Sequence, residues 1–241
     1  MQTSNPWYDT TRQSAFPIAK PGYGFIAAAV FVTLTAALLG WKPLAVIGLV
    51  FAAFTAYFFR DPDRLIPSEP GLLVSPADGK IIVSETVADN PVTGGPAVKI
   101  SVFMSVFNVH VNRIPASGVV EDIVYHAGSF VNAAFDKASD KNERNAVIFQ
   151  TDTGIRYGVV QIAGLIARRI ICGLKPGDRV TRGNRFGMIC FGSRLDLYLP
   201  ADFKPAICMG QKVKAGATVL GTFSLCQTDE AGSSEGGVQA N

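Results

Sequence analysis

Two apolar runs near the front of this 241-residue chain constrain its fold more than any other feature. Residues 21–41 carry no charged side chain and residues 43–59 carry none either, with Lys42 alone between them. Each run falls slightly short of the ~20 apolar residues that a spanning helix prefers. Gly40-Trp41-Lys42-Pro43 supplies two turn-formers and a tryptophan suited to a water interface. The pattern predicts a hydrophobic helical hairpin, with helices over about residues 24–39 and 44–59, either spanning or re-entrant. Arg12 and Lys20 precede it and Arg60 and Arg64 follow, so the positive-inside tendency puts both ends at the cytoplasmic face of the cell membrane. Lys42 at the tip pulls against that orientation. No small-x-small signal-peptidase site follows the apolar stretch. The alternative is a pair of buried helices in a soluble domain.

The rest of the chain has a different texture. Charged residues make up only 17% of the whole, against a usual ~25%, and the deficit sits in the hairpin. Beyond Arg64, short runs rich in Val, Ile and Phe are broken by Gly, Pro and Asp. Those at residues 99–107, 119–124, 146–151, 156–162, 168–172 and 195–199 read as strands. A short helix is expected around residues 131–138. Residues 1–64 thus form a membrane-associating segment and residues 65–228 a mainly β domain, and the small, polar residues 229–241 are expected to be a disordered tail.

One pattern recurs within the β domain. Lys175-Pro176-Gly177-Asp178-Arg179-Val180, closed by Arg182-Gly183, is echoed by Gly210-Gln211-Lys212-Val213-Lys214-Ala215-Gly216, and Pro76-Ala77-Asp78-Gly79 has the same flavour. Such a near-repeat predicts two similar hairpins facing one another in a compact sandwich. The shape resembles the barrel-sandwich fold of biotinyl and lipoyl carrier domains, and a membrane-anchored carrier or adaptor is the rival reading. A carrier needs a modifiable lysine at a hairpin tip, and Asp136-Lys137-Ala138 sits in the helix-like stretch instead.

The net charge of +3 is too small to argue for nucleic acid. Arg168, Arg169, Lys175, Arg179, Arg182, Arg185 and Arg194 crowd one stretch, which suits an anionic lipid surface or a solvated face of strands. Cys172, Cys190, Cys208 and Cys226 form no C-x-x-C pair, and there are only two histidines, so no metal site is expected. The cysteines read as reduced core residues.

Around Ser193 the sequence becomes specific. Phe186-Gly187-Met188-Ile189-Cys190-Phe191-Gly192-Ser193-Arg194 resembles the processing site of the phosphatidylserine decarboxylase family, in its short bacterial and archaeal branch. Phe58-Phe59-Arg60-Asp61-Pro62, Ser75-Pro76-Ala77-Asp78-Gly79, Phe107-Asn108-Val109-His110-Val111-Asn112-Arg113, and Asp136-Lys137-Ala138-Ser139 with Asn142-Glu143-Arg144-Asn145 agree with it, in order. The resemblance implies a proenzyme that cleaves itself between Gly192 and Ser193. Ser193 Oγ attacks the Gly192 carbonyl, and the resulting ester eliminates to dehydroalanine, whose hydrolysis leaves a pyruvoyl group. The products are a beta chain of residues 1–192 and an alpha chain of residues 193–241, a heterodimer that can assemble into a higher homo-oligomer. The pyruvoyl cofactor forms a Schiff base with the substrate amine and accepts the electron pair freed as CO2 leaves, turning phosphatidylserine into phosphatidylethanolamine, or an ether-linked analogue into its ethanolamine counterpart. His110, in the matching block, is implied to be the base, with Asp78 orienting it towards Ser193. His126 is the other candidate. Arg60, Arg64, Arg113 and Arg194 are candidates for the lipid phosphate, since arginine pairs with it bidentately. A serine hydrolase built on Ser193 and His110 would lack its Gly-x-Ser-x-Gly elbow.

Overall fold

The computed structural model describes residues 17–128, 142–164, 169–190 and 192–223. The expected helix at residues 131–138, Lys137, Arg168, Cys226 and the expected tail lie outside them. Among the described residues two helices, α1 (Gly22–Leu38) and α2 (Lys42–Phe58), are followed by fourteen short strands. The chain is therefore mainly β, with a large sheet curled into a half-barrel.

The helices are joined at Leu39-Gly40-Trp41, where Gly40 takes a positive φ of 73° and ends α1. They pack closely where Gly48 meets Thr33, because a Cβ at Gly48 would fall 2.5 Å from Thr33 Oγ1. Each has 17 residues, about 26 Å at 1.5 Å per residue. Among the described residues no helix is long and apolar enough to cross a membrane. Their outer faces are nonetheless apolar: Leu38 is 88% exposed and Phe31 72%. The base of the pair is fixed to the β domain. Ala19 N–H donates to the Phe59 carbonyl, Phe25 stacks on Phe59 at 5.4 Å, and Phe58 and Phe59 are fully buried with Val109, Val111 and Met188.

The central antiparallel sheet has eight strands in the order β13 (Lys212–Val213), β2 (Gly79–Val87), β3 (Ala97–Met104), β11 (Ser193–Pro200), β7 (Arg156–Ala163), β6 (Arg144–Thr151), β5 (Gly118–His126), β9 (Arg179–Val180). Alternation sorts its faces. Leu195, Leu197 and Leu199 of β11 join the main core, whereas Arg194, Asp196 and Tyr198 face the other way. Two three-stranded sheets complete the domain. One joins β1 (Leu72–Val74), β14 (Val219–Thr222) and β12 (Lys204–Pro205), and the other joins β4 (Val111–Arg113), β10 (Arg185–Ile189) and β8 (Ile170–Cys172).

The two echoing segments lie at opposite edges of the large sheet, as β9 and β13. Their partners echo each other as well: Pro76-Ala77-Asp78-Gly79 against β13 and Pro115-Ala116-Ser117-Gly118 against β9. The hydrogen bonds match one for one. Ile81 exchanges with Gln211 and Gly210 as Val120 does with Asp178 and Gly177. Asp78 Oδ1 accepts from Ala215 N at 2.8 Å, and Ser117 Oγ accepts from Arg182 N at 3.0 Å. The two edges meet where Gly183 and Gly216 press on Ile66. Asp78 therefore occupies a position whose ordinary task is to fasten a turn.

Three expectations need correction. Cys190 is buried and Cys172 half-buried, but Cys208 is exposed, because residues 206–208 form a loop and turn instead of a strand. The basic stretch is not a free cationic face. Arg179 pairs with Asp152, Arg185 with Asp61 and Asp63, Arg194 with Asp196, and Arg182 donates to the Leu72 and Pro67 carbonyls. The strand expected to run to residue 107 ends at Met104, because Asn108 Oδ1 captures Ser105 N and Oγ and closes a turn.

Candidate active site

Ser193 opens β11, opposite Met104 of β3 and Ala163 of β7. It is fully buried, and among the described residues its Oγ donates only to the Met104 thioether, 3.9 Å away, a weak acceptor. Gly192, just before it, has φ +68°, the left-handed region where a side chain is strained. A Cβ there would meet only Val106, at 4.0 Å, so backbone conformation and not space calls for glycine. The Gly192–Ser193 peptide thus joins a left-handed residue to a fixed strand.

His110 lies between the Ser105–Asn108 turn and β4, and its carbonyl accepts from Ile189 N at the end of β10. Four residues further along the chain is Ser193. The imidazole is fully buried, and neither ring nitrogen has a hydrogen-bond partner among the described residues. The Phe58 ring covers it at 4.2 Å. Burial is the main cause that lowers the His110 pKa from 6.5 to about 4; the Asn108 backbone opposes it, and Arg60 pushes further down. At neutral pH His110 is an uncharged ring able to accept a proton.

Asp78 divides its carboxylate. Oδ1 holds the turn through Ala215 N, and Oδ2 receives Arg64 at 2.9 Å. Its turn is tied to the His110 strand by Arg113 N donating to the Pro76 carbonyl. No hydrogen bond joins Asp78, His110 and Ser193 among the described residues. His126, at the far end of β5, is exposed.

The four candidate arginines have distinct surroundings. Arg60 lies over the Tyr57 ring, 3.8 Å from its centroid, and donates to the Phe107 carbonyl. Arg64 and Arg113 line a cavity of about 420 Å³ with Asp63 and Arg185. Arg113 donates to the Gly183 and Pro62 carbonyls and to Asp61, and burial, with Arg185 nearby, lowers its pKa to about 10. Arg194 is fully buried against Asp196 and Ser101, on the sheet face away from Ser193.

The family model for phosphatidylserine decarboxylase matches residues 51–221, a span that holds Asp78, His110, Gly192 and Ser193. The chain belongs to the phosphatidylserine decarboxylase family. A phosphatidylserine decarboxylase proenzyme of Solidesulfovibrio magneticus is 53% identical over 203 residues, 84% of this chain and 94% of that protein. Proteins of the same description from Desulfotalea psychrophila and Nitratidesulfovibrio vulgaris are each 48% identical over 209 residues, 87% of this chain and 98% and 96% of theirs.

Against that family background, the sequence left Met104 unmarked, and it marked Phe58 only as part of a matching block, with no contact assigned to it. Met104 sits in an ordinary apolar strand and Phe58 in an apolar helix, and nothing in their spacing signals contact with Ser193 or His110. The division of labour within Asp78 leads to a prediction. Asp78→Asn keeps an oxygen for Ala215 N and loses the charge, so the protein should fold and process slowly. Asp78→Ala loses both and should also be destabilised by about 1–3 kcal/mol, the cost of a buried unsatisfied N–H. Thermal unfolding beside gel-resolved cleavage separates the two, and equal melting of both variants would show that the turn does not depend on Asp78.

Proposed function

We propose that the chain cleaves itself between Gly192 and Ser193 and then decarboxylates phosphatidylserine at the pyruvoyl terminus so formed. The carrying observation is the pairing of a left-handed Gly192 with a fully buried Ser193 whose hydroxyl has only a thioether partner. Glycine takes this left-handed turn into β11 at no steric cost, and a poorly solvated hydroxyl is a better nucleophile once deprotonated. Ser193, sealed from water at a strand start, fits a pyruvoyl group, which needs no ligand beyond its own backbone. That group, when formed, supplies an electron sink for loss of CO2. His110 takes the Ser193 proton, and Asp78 Oδ2 stabilises the charged imidazole once Arg64 yields. Burial under Phe58 keeps water from competing at the base.

The helix pair supports a membrane location. Its exposed apolar surface suits the cytoplasmic leaflet, and its base rests on His110 through Phe58, which would bring the site to headgroup depth. Arg60 and Arg64, at the exit of α2, are the arginines best placed for a lipid phosphate. The cleaved beta and alpha chains remain one unit, because β11 is hydrogen-bonded to β3 and β7 over most of its length.

Two measurements test this. The intact mass under denaturing conditions should give two chains split after residue 192, the smaller lighter than a serine terminus by one ammonia. A single full-length chain in the presence of phosphatidylserine vesicles would sink the proposal and favour the adaptor reading. For location, the protein should float with phosphatidylserine-containing vesicles, and Phe31→Glu with Val50→Glu should leave it in the soluble fraction. Flotation unchanged by both substitutions would remove the helix pair from membrane binding.

A further inference from the structure

Three buried carboxamides form a one-way chain that ends beside Ser193. Asn145 of β6 and Gln161 of β7 face each other in register, and Asn145 Nδ2 donates to Gln161 Oε1 at 3.1 Å. Gln161 Nε2 donates to Asn112 Oδ1 at 2.9 Å, crossing from the large sheet to β4. Gly187 makes room for that crossing, since a Cβ there would lie 3.0 Å from Gln161 Nε2. Asn112 Nδ2 then points to Met104 Sδ at 3.9 Å, the same sulfur that receives Ser193 Oγ. Asn112, Gln161 and Ser193 are fully buried and Asn145 is 4% exposed, so no water competes for these groups.

Two donors share one soft, weak acceptor, an arrangement that leaves both short of a proper partner. Because Asn145, Gln161 and Asn112 each donate to the next group in line, the positive end of the chain is turned towards the Met104 sulfur that the serine hydroxyl also approaches. We infer that Asn112 is the donor that stabilises negative charge on Ser193 Oγ during self-processing, with Gln161 and Asn145 as the residues that hold its amide in that sense. This rests on the self-cleavage proposed above and assigns its second step. In that step a base removes the Ser193 Cα proton, the Cβ–Oγ bond breaks with its electron pair moving onto Oγ, and Gly192 departs as a carboxylate. Water then converts the dehydroalanine to the ketone and ammonia. A small displacement of the Met104 thioether lets the Asn112 N–H reach that oxygen, and no other side-chain donor to Met104 Sδ is present among the described residues.

Asn112→Leu and Asn112→Asp keep the volume and remove the donor. Both should slow cleavage on the order of a hundredfold, the scale of losing one such donor. Because elimination is the step affected, the uncleaved chain should accumulate as the Gly192–Ser193 ester, which hydroxylamine splits to a Gly192 hydroxamate identifiable by mass. Gln161→Leu, which frees the Asn112 amide to turn over, should give a smaller ester build-up. A merely structural role would lower melting temperature and cleavage together with no hydroxylamine-sensitive ester. That outcome, or cleavage at the wild-type rate, overturns the inference. If Asn112→Asp fails to fold, the Leu variant decides by the same readout. Failure of the wild type itself to split at residue 192 would instead overturn the underlying function.

Discussion

Ser193→Ala is expected to abolish processing completely and leave one chain of 25.6 kDa with no decarboxylase activity. The substitution removes a single oxygen at a fully buried site. Among the described residues that oxygen's hydrogen-bond partner is Met104 Sδ alone, at 3.9 Å, so its loss to stability should stay within about 1 kcal/mol. Fold and chemistry therefore separate cleanly at this residue. Intact mass and circular dichroism on the same sample check it: a folded full-length protein is the expected result, and any fragment ending at residue 192 would show that another group attacks the Gly192 carbonyl. Ser193→Cys supplies a stronger nucleophile in the same place and should cleave the backbone, which distinguishes lost nucleophilicity from distorted geometry.

His110→Leu carries the second large effect, in two directions. Cleavage should fall by about 10²–10⁴-fold, the usual contribution of a positioned base. Stability should change in the opposite sense at low pH. The folded His110 has a pKa of about 4 against an ordinary 6.5, so the unfolded chain binds its proton first. The neutral ring's contribution is complete above pH 6.5 and fades as the pH falls towards 4. The gap corresponds to about 3 kcal/mol at 1.36 kcal/mol per pH unit. The wild type should thus lose that much more than His110→Leu between pH 6.5 and 4, and subtracting the two curves removes the carboxylates common to both. Parallel urea-unfolding midpoints over this range would mean that His110 is already solvated in the folded protein.

Much of this was legible beforehand, and particular residues show why. The strands at residues 119–124, 146–151, 156–162 and 195–199 were readable because β-branched runs bounded by turn residues act locally. Gly40 and Pro43 marked the helix connection for the same reason, and both helices began within two residues of their expected positions. Gly192-Ser193 was legible through resemblance alone, since a Gly-Ser pair has no distinctive propensity. The partners of each site residue were not legible. Arg64 against Asp78, Phe58 over His110 and Met104 beneath Ser193 are separated by 14, 52 and 89 positions in the chain.

Local chemistry in the sequence determined which segments become helix or strand, and the order of motifs determined the family and pointed to the bond proposed to be cut. Only the tertiary structure decided that Arg179, Arg182, Arg185 and Arg194 of the basic stretch would be engaged by internal partners. It also decided that the two halves of the domain would repeat the Asp78 turn as the Ser117 turn, and that three amides would line up on the Met104 sulfur beside Ser193. Those outcomes depend on which strands become neighbours. Sheet order is set by burial of whole faces and not by any residue's own preference, so the contacts it creates have no signature at the positions that make them.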